Sequence, residues 1–146
     1  MAPPVWWIDP AGDGRSGGSL YNRRVSEALA ARGEPPRRVG VAPPWSGSAA
    51  ALAAPPDGAR VVVDGLLIAP LAPAFAALCD RCLVLAVVHL PAFREGGLSA
   101  RRRAALAATE GEALRRAARV MTTSGAAADD VSEAFGIPRR DRKSVV

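Results

Sequence analysis

Apolar residues along this chain fall into short unbroken runs separated by stretches of helical spacing. Residues 5–8, 37–41, 60–64, 83–89 and 119–123 read as five strands. The clearest, Arg60-Val61-Val62-Val63-Asp64, is apolar at consecutive positions rather than alternate ones. That pattern belongs to a sheet covered on both faces. Between the strands, residues 19–32 place Leu20, Val25, Ala28, Leu29 and Ala31 at helical intervals, and Gly33 supplies a stop. Residues 69–79, 98–118 and 126–135 read as further helices. Pro70 and Pro73 suit only a first turn, Ser99 suits an N-cap, and Gly136 and Pro138 close the last helix. Residues 42–58 read as a loop with one helical turn around 48–53, and residues 91–97 as a second loop. The order β-α-β-loop-β-α-β-α-β-α predicts an α/β domain, a Rossmann-like parallel sheet with helices on both faces.

Composition narrows the classes. The chain has 146 residues, 49% of them apolar, enough for one domain with a real core. The net charge of +5 comes almost wholly from arginine, with Lys143 the only lysine. Richness in Arg, Ala, Gly and Pro is what a GC-rich coding sequence produces, so the basic balance is not read as a nucleic-acid footprint. A basic surface still suits phosphorylated ligands or peripheral contact with an anionic membrane face. No apolar run is long enough to span a bilayer, and no signal peptide is visible, so a cytoplasmic location is expected, with the inner membrane face as a place of contact. Cys79 and Cys82 form a Cys-x-x-Cys. It has no second Cys/His pair and does not open a helix, so two small apolar residues are expected there and no metal site.

In parallel sheets of this kind ligands bind beyond the carboxyl ends of the strands. The unusual residues of this chain stand at those ends: a glycine-rich loop after the first strand, Asp64-Gly65, the single histidine His89, and Thr123-Ser124. The loop contains Gly12-x-Gly14-x-x-Gly17, which matches a dinucleotide fingerprint. That fingerprint also wants an acidic residue after the second strand, where this chain reads Val41-Ala42-Pro43-Pro44. The pair Gly17-Gly18, at the start of the first helix, is the more telling feature. A residue without Cβ there admits a phosphate close to the helix N-terminus. His89 at a strand end is read as a hydrogen-bonding side chain, and Trp6-Trp7 as packing.

Ser16-Gly17-Gly18-Ser19-Leu20-Tyr21-Asn22-Arg23-Arg24 followed by Ala28-Leu29-Ala30-Ala31-Arg32-Gly33 resembles the N-terminal domain of family 4-type glycosyltransferases of the GT-B fold. Val63-Asp64-Gly65-Leu66 is similar to that family's strand-end Asp-Gly. Val87-Val88-His89-Leu90-Pro91 with Glu95-x-Gly97-Leu98 is similar to its Val-His-x-Pro…Glu-x-Gly-Leu segment. Thr109-Glu110 with Val120-Met121-Thr122-Thr123-Ser124, and Phe135-Gly136-Ile137-Pro138, continue the likeness in the same order.

The resemblance implies a retaining transfer of a sugar from a nucleotide-diphosphate donor to an acceptor, with no metal or other cofactor. It implies that Gly17 and Gly18 face the donor diphosphate and that His89 hydrogen-bonds the transferred sugar. Tyr21, Asn22, Asp64, Gly65, Glu95 and Ser124 become candidates for substrate contact. Residues 1–140 are then the acceptor-side half of a GT-B fold. A C-terminal nucleotide-sugar domain is implied as partner and is not among these 146 residues, so the chain alone is expected to be inactive. Residues 141–146, Asp-Arg-Lys-Ser-Val-Val, also correspond to a translated short-read sequencing adapter, so a truncated gene with a non-native tail is expected; the alternative is a sixth strand. The rival functions are a stand-alone Rossmann-like nucleotide-binding domain and a non-catalytic interaction domain.

Overall fold

The computed structural model describes residues 2–12, 16–45, 48–138 and 142–144, the last as backbone only. Strand β1 is Trp6–Pro10 and helix α1 is Gly17–Ala31. Strand β2 (Arg37–Val41), helix α2 (Ala49–Ala53) and strand β3 (Arg60–Asp64) follow. A short 3₁₀ turn, Gly65–Leu67, leads toward helix α3 (Ala72–Arg81) and strand β4 (Leu83–Val88). A second 3₁₀ turn at Ala92–Arg94 precedes helix α4 (Ala100–Arg116), strand β5 (Arg119–Thr122), helix α5 (Gly125–Phe135) and strand β6 (Arg142–Ser144).

All strand pairs are parallel, in the order β2-β1-β3-β4-β5-β6. The chain therefore starts inside the sheet, moves outward through α1 to β2, then crosses back to β3 on the other side of β1. That reversal opens a crevice beyond the carboxyl ends of β1 and β3.

The α/β architecture with helices on both faces is present, and its two layers are unequal. Ile8, Val61, Val63, Val84, Ala86, Val88 and Val120 face a large core completed by Leu52, Phe75, Leu78, Leu114, Val131 and Phe135 from α2 to α5. The opposite face is smaller: Trp7, Val62 and Val87 pack with Tyr21, Val25 and Leu29 of α1.

Local differences from the sequence reading have plain causes. Helix α1 starts at Gly17 because the Ser16 hydroxyl accepts the Ser19 N–H at 3.1 Å. Helix α2 is a true element because Leu52 is buried. Helix α3 starts at Ala72, after a 3₁₀ turn whose Leu66 N–H is capped by the Asp64 side chain, with a proline in its opening turn. Cys79 and Cys82 are free thiols, and burial pushes Cys79 up to about 11, which keeps it protonated. Arg142–Ser144 pairs alongside β5 as an edge strand; the rest of the 139–146 stretch lies outside the described residues.

Candidate functional site

Four strand ends and one helix converge on a single hydrogen-bond network. Asp9 lies near the end of β1, Asp64 is the last residue of β3, His89 follows β4, and Thr123 follows β5. Asn22, in the second turn of α1, is 1% exposed and sits among them. Its amide donates to Asp64 Oδ2 at 2.7 Å and to Asp9 Oδ2 at 3.3 Å. With the amide nitrogen fixed by two carboxylates, Oδ1 points at His89 Nε2, 3.2 Å away. An amide oxygen only accepts, so Nε2 carries the hydrogen, and Asp64 Oδ2 lies 3.4 Å from the same nitrogen. In the neutral ring Nδ1 then accepts from the Thr123 hydroxyl at 3.1 Å. Both imidazole nitrogens are thus engaged within the protein.

The two carboxylates are held differently. Burial is the largest influence on Asp64 and acts upward, but hydrogen bonds from His89, the Leu66 N–H and Asn22 outweigh it and hold the group below its ordinary value. For Asp9 burial prevails and raises it, despite the Arg38 guanidinium hydrogen-bonded to Oδ2 and the Asn22 amide; the neighbouring Asp64 charge adds to the rise. Asp64 is therefore the firm anion that orients His89, and Asp9 is the more readily protonated partner.

A cleft of about 350 Å³ opens over this network. Its walls include Ser16, Gly18 and Ser19 from the start of α1, Leu66 and Leu90 after β3 and β4, and Asp64 and His89 between them. The Tyr21 ring meets the His89 ring edge-on, with centroids 5.3 Å apart. Gly18 is needed for contact with the histidine: a Cβ there would stand 3.0 Å from His89 Cδ2 and 3.3 Å from Cγ. At Gly17 a Cβ would meet nothing within 4 Å. Gly65 has a packing reason too, since its Cβ would approach the Val87 carbonyl oxygen to 3.0 Å.

These contacts give a prediction. Gly18→Ala gains up to about 1 kcal/mol of helix propensity but must displace a ring pinned at both nitrogens, at an overpacking cost of about 1–3 kcal/mol. A net loss of about 1 kcal/mol by urea unfolding is expected, with a moved His89 ring resonance in NMR spectra. Gly17→Ala is expected to be neutral or slightly stabilising. Equal behaviour of the two variants would contradict the close approach.

The structure thus brings together His89, Asn22, Asp64, Gly18 and Tyr21, with Gly65 beside them. It does not bring Glu95 or Ser124 into this network. Glu95 is exposed and closes the 3₁₀ turn at Ala92–Arg94, and the Ser124 hydroxyl caps α5 by accepting the Ala127 N–H at 3.1 Å. Gly17 is exposed at the first position of α1, next to the cleft wall. Gly14 of the dinucleotide pattern lies outside the described residues.

Three participants were missed by the sequence reading: Asp9, Thr123 as the partner of His89, and Arg38. Asp9 before Pro10 looks like a turn, and its position one residue beyond an apolar strand was the available signal. Among the described residues, no group of three or more His, Cys, Asp or Glu is placed to hold a metal ion. No helix among them is long and apolar enough to cross a membrane. Comparison with family models, with curated proteins and with solved structures finds no match to this chain.

Proposed function

We propose that the chain is the acceptor-side domain of a retaining glycosyltransferase that moves a sugar from a nucleotide diphosphate to an acceptor hydroxyl. The observation that carries this reading is the placement of His89 against Gly18, at the mouth of a carboxyl-edge cleft and under the first turn of α1. In the proposed reaction the bond between the anomeric carbon and the diphosphate breaks and the diphosphate keeps the electron pair. The acceptor oxygen bonds to the same face of the sugar, and its proton passes to the departing phosphate oxygen. The first-turn N–H groups of α1, at Gly17 and Gly18, would stabilise the charge that grows on the diphosphate. Ser16 caps the Ser19 N–H, and the N–H groups of Gly17 and Gly18 have no partner among the described residues.

His89 would bind the sugar rather than act as a base. Its Nε2–H is shared between two acceptors at 3.2 and 3.4 Å, both long, so a sugar hydroxyl can compete for it. Asp64 and Thr123 would keep the ring in place meanwhile. The donor nucleotide would be held across the cleft by a second, nucleotide-binding domain, because donor and acceptor must meet in one geometry for transfer.

The test is a two-part experiment. Titration of the labelled chain with UDP-, GDP- and ADP-sugars is expected to shift the amide signals of Gly17, Gly18 and Ser19 and the ring signals of His89. In a protein that joins this domain to a donor domain, His89→Ala is expected to lower transfer about 100-fold with the fold retained by circular dichroism. Shifts confined to other faces, or wild-type transfer by the variant, would overturn the reading. So would sugar transfer by the 146-residue chain alone.

A further inference from the structure

A second cleft, of about 390 Å³, lies on the other side of the loop that follows β1. It is bounded by Asp9, Gly12, Ser19, Arg23, Arg38 and Gly40, together with Pro10 and Ala11. It shares Gly12 and Ser19 with the cleft over His89, so a ligand in one reaches toward the other. The network that orients His89 also builds this second wall: Asp9 accepts from Asn22 on one side and from Arg38 on the other.

Among the described residues, two guanidinium groups line this space against one carboxylate. Arg38 is anchored through Nη2 to the buried Asp9, and its side chain is still 37% exposed. The anchor holds the Nη2 side of the group, and its other donors have no partner among the described residues. Arg23 stands one turn along α1 from Ser19, 53% exposed, and its pair with Glu27 is a loose one at 3.9 Å. An exposed pair of that length contributes little and yields to a better acceptor. Among the described residues that line the cleft, Asp9 balances one of the two cations, and the other is balanced only by the loose pair with Glu27. Small side chains keep the space open. Position 40 is glycine, where a Cβ would crowd Ala11 Cβ at 3.3 Å.

We infer that this cleft binds the phosphate group of the acceptor, gripped by the fork of Arg38 and by Arg23, with Ser19 as an additional hydroxyl contact. A planar, pre-oriented guanidinium is suited to bidentate recognition of a tetrahedral oxyanion. The inference rests on the glycosyltransferase reading for the word acceptor; the anion site itself does not depend on it. The phosphate can be carried by a small soluble polyol phosphate or by the headgroup of an anionic lipid.

The experiment follows amide shifts of the full chain at constant ionic strength. The probes are inorganic phosphate, glycerol 1-phosphate, and vesicles of phosphatidylcholine with and without phosphatidylglycerol. Saturable shifts at Ser19, Arg23 and Gly40 are expected. Arg23→Gln is expected to weaken the affinity about tenfold. Arg38→Lys keeps a positive charge beside Asp9 but loses the fork, and is expected to weaken it about tenfold with the fold retained by circular dichroism. Arg102→Gln, on exposed α4, is expected to change nothing. Saturation by glycerol 1-phosphate identifies a soluble acceptor. Saturation only on phosphatidylglycerol vesicles, lost with Arg23→Gln, identifies a lipid headgroup. Absence of saturable binding by every probe, or equal binding by wild type and Arg23→Gln, would overturn the site. None of these probes holds a nucleotide or a transferable sugar, so that failure is separate from failure of the nucleotide-sugar titration.

Discussion

Glu110→Gln is expected to stabilise the domain by about 2–3 kcal/mol at pH 8 and to change little at pH 4. Glu110 lies in α4 and is 2% exposed. Its Oε2 accepts the Ala92 N–H at 2.7 Å, while Oε1 is buried without a hydrogen-bond partner among the described residues. Burial is the main reason that its carboxyl is pushed up to about 7 from 4.5; the Ala92 N–H opposes the rise and the nearby Glu95 charge adds to it. A raised carboxyl binds more protons folded than unfolded between those two values. Stability contributed by this group is therefore highest below about pH 4.5 and falls as pH climbs through 7. At about 1.4 kcal/mol per pH unit the full fall is about 3 kcal/mol. Glutamine keeps an oxygen for Ala92 and never ionises, so it removes the fall. For a chain of this length the gain corresponds to a melting temperature higher by roughly 6 °C at pH 8. Urea unfolding of both proteins across pH 4–8 checks it: parallel curves for variant and wild type would show that Glu110 bears no buried charge.

Asn22→Leu is expected to cost about 3–4 kcal/mol at pH 7 with the number of side-chain heavy atoms unchanged. The substitution removes the one amide that stands between two buried carboxylates and one of the two acceptors of the His89 Nε2–H. Buried polar groups left unsatisfied cost about 1–3 kcal/mol each, and more when charged. The pH dependence has a defined sign. The depressed carboxyl of Asp64 contributes stability that is present above its ordinary value of 3.8 and lost as pH falls through its lower folded value. Asn22 is one of the donors that depress it, so the variant retains less of that contribution. Chemical unfolding measures the loss, and the His89 ring signals should broaden or shift in the same protein. A cost below about 1 kcal/mol with an unmoved histidine would mean that the amide is not what holds the cluster together.

Glu110 shows how a buried carboxyl can be hidden in a sequence. In α4 it stands between Arg101–Arg103 and Arg115–Arg116, where a charged residue reads as part of a solvated face. Its helical phase tells otherwise, for Ala113 and Leu114, three and four positions later, are buried beside it. Arg38 was masked in the same way, as one of two adjacent arginines in a strand whose neighbours are mostly exposed. His89, Asp64 and the Gly17-Gly18 pair were legible because they interrupt apolar runs or open a helix. What could not be read was that Gly18 touches His89, or that Ser124 is used as a helix cap while its neighbour Thr123 holds the imidazole.

The order of residues alone dictates the alternation of strands and helices, the parallel sheet, and the edge at which the polar residues collect. It can do so because a strand buried on both faces must be apolar at consecutive positions, and because parallel strands need a crossover between them. The strand order and the partner of each polar side chain emerge only from the three-dimensional packing. Asn22 reaches back 13 residues to Asp9 and forward 42 to Asp64, and His89 lies 67 residues from Asn22 and 34 from Thr123. Pairings at such separations leave no periodicity in the chain. They follow from which strands lie side by side, and from the burial that makes every unpartnered polar atom expensive.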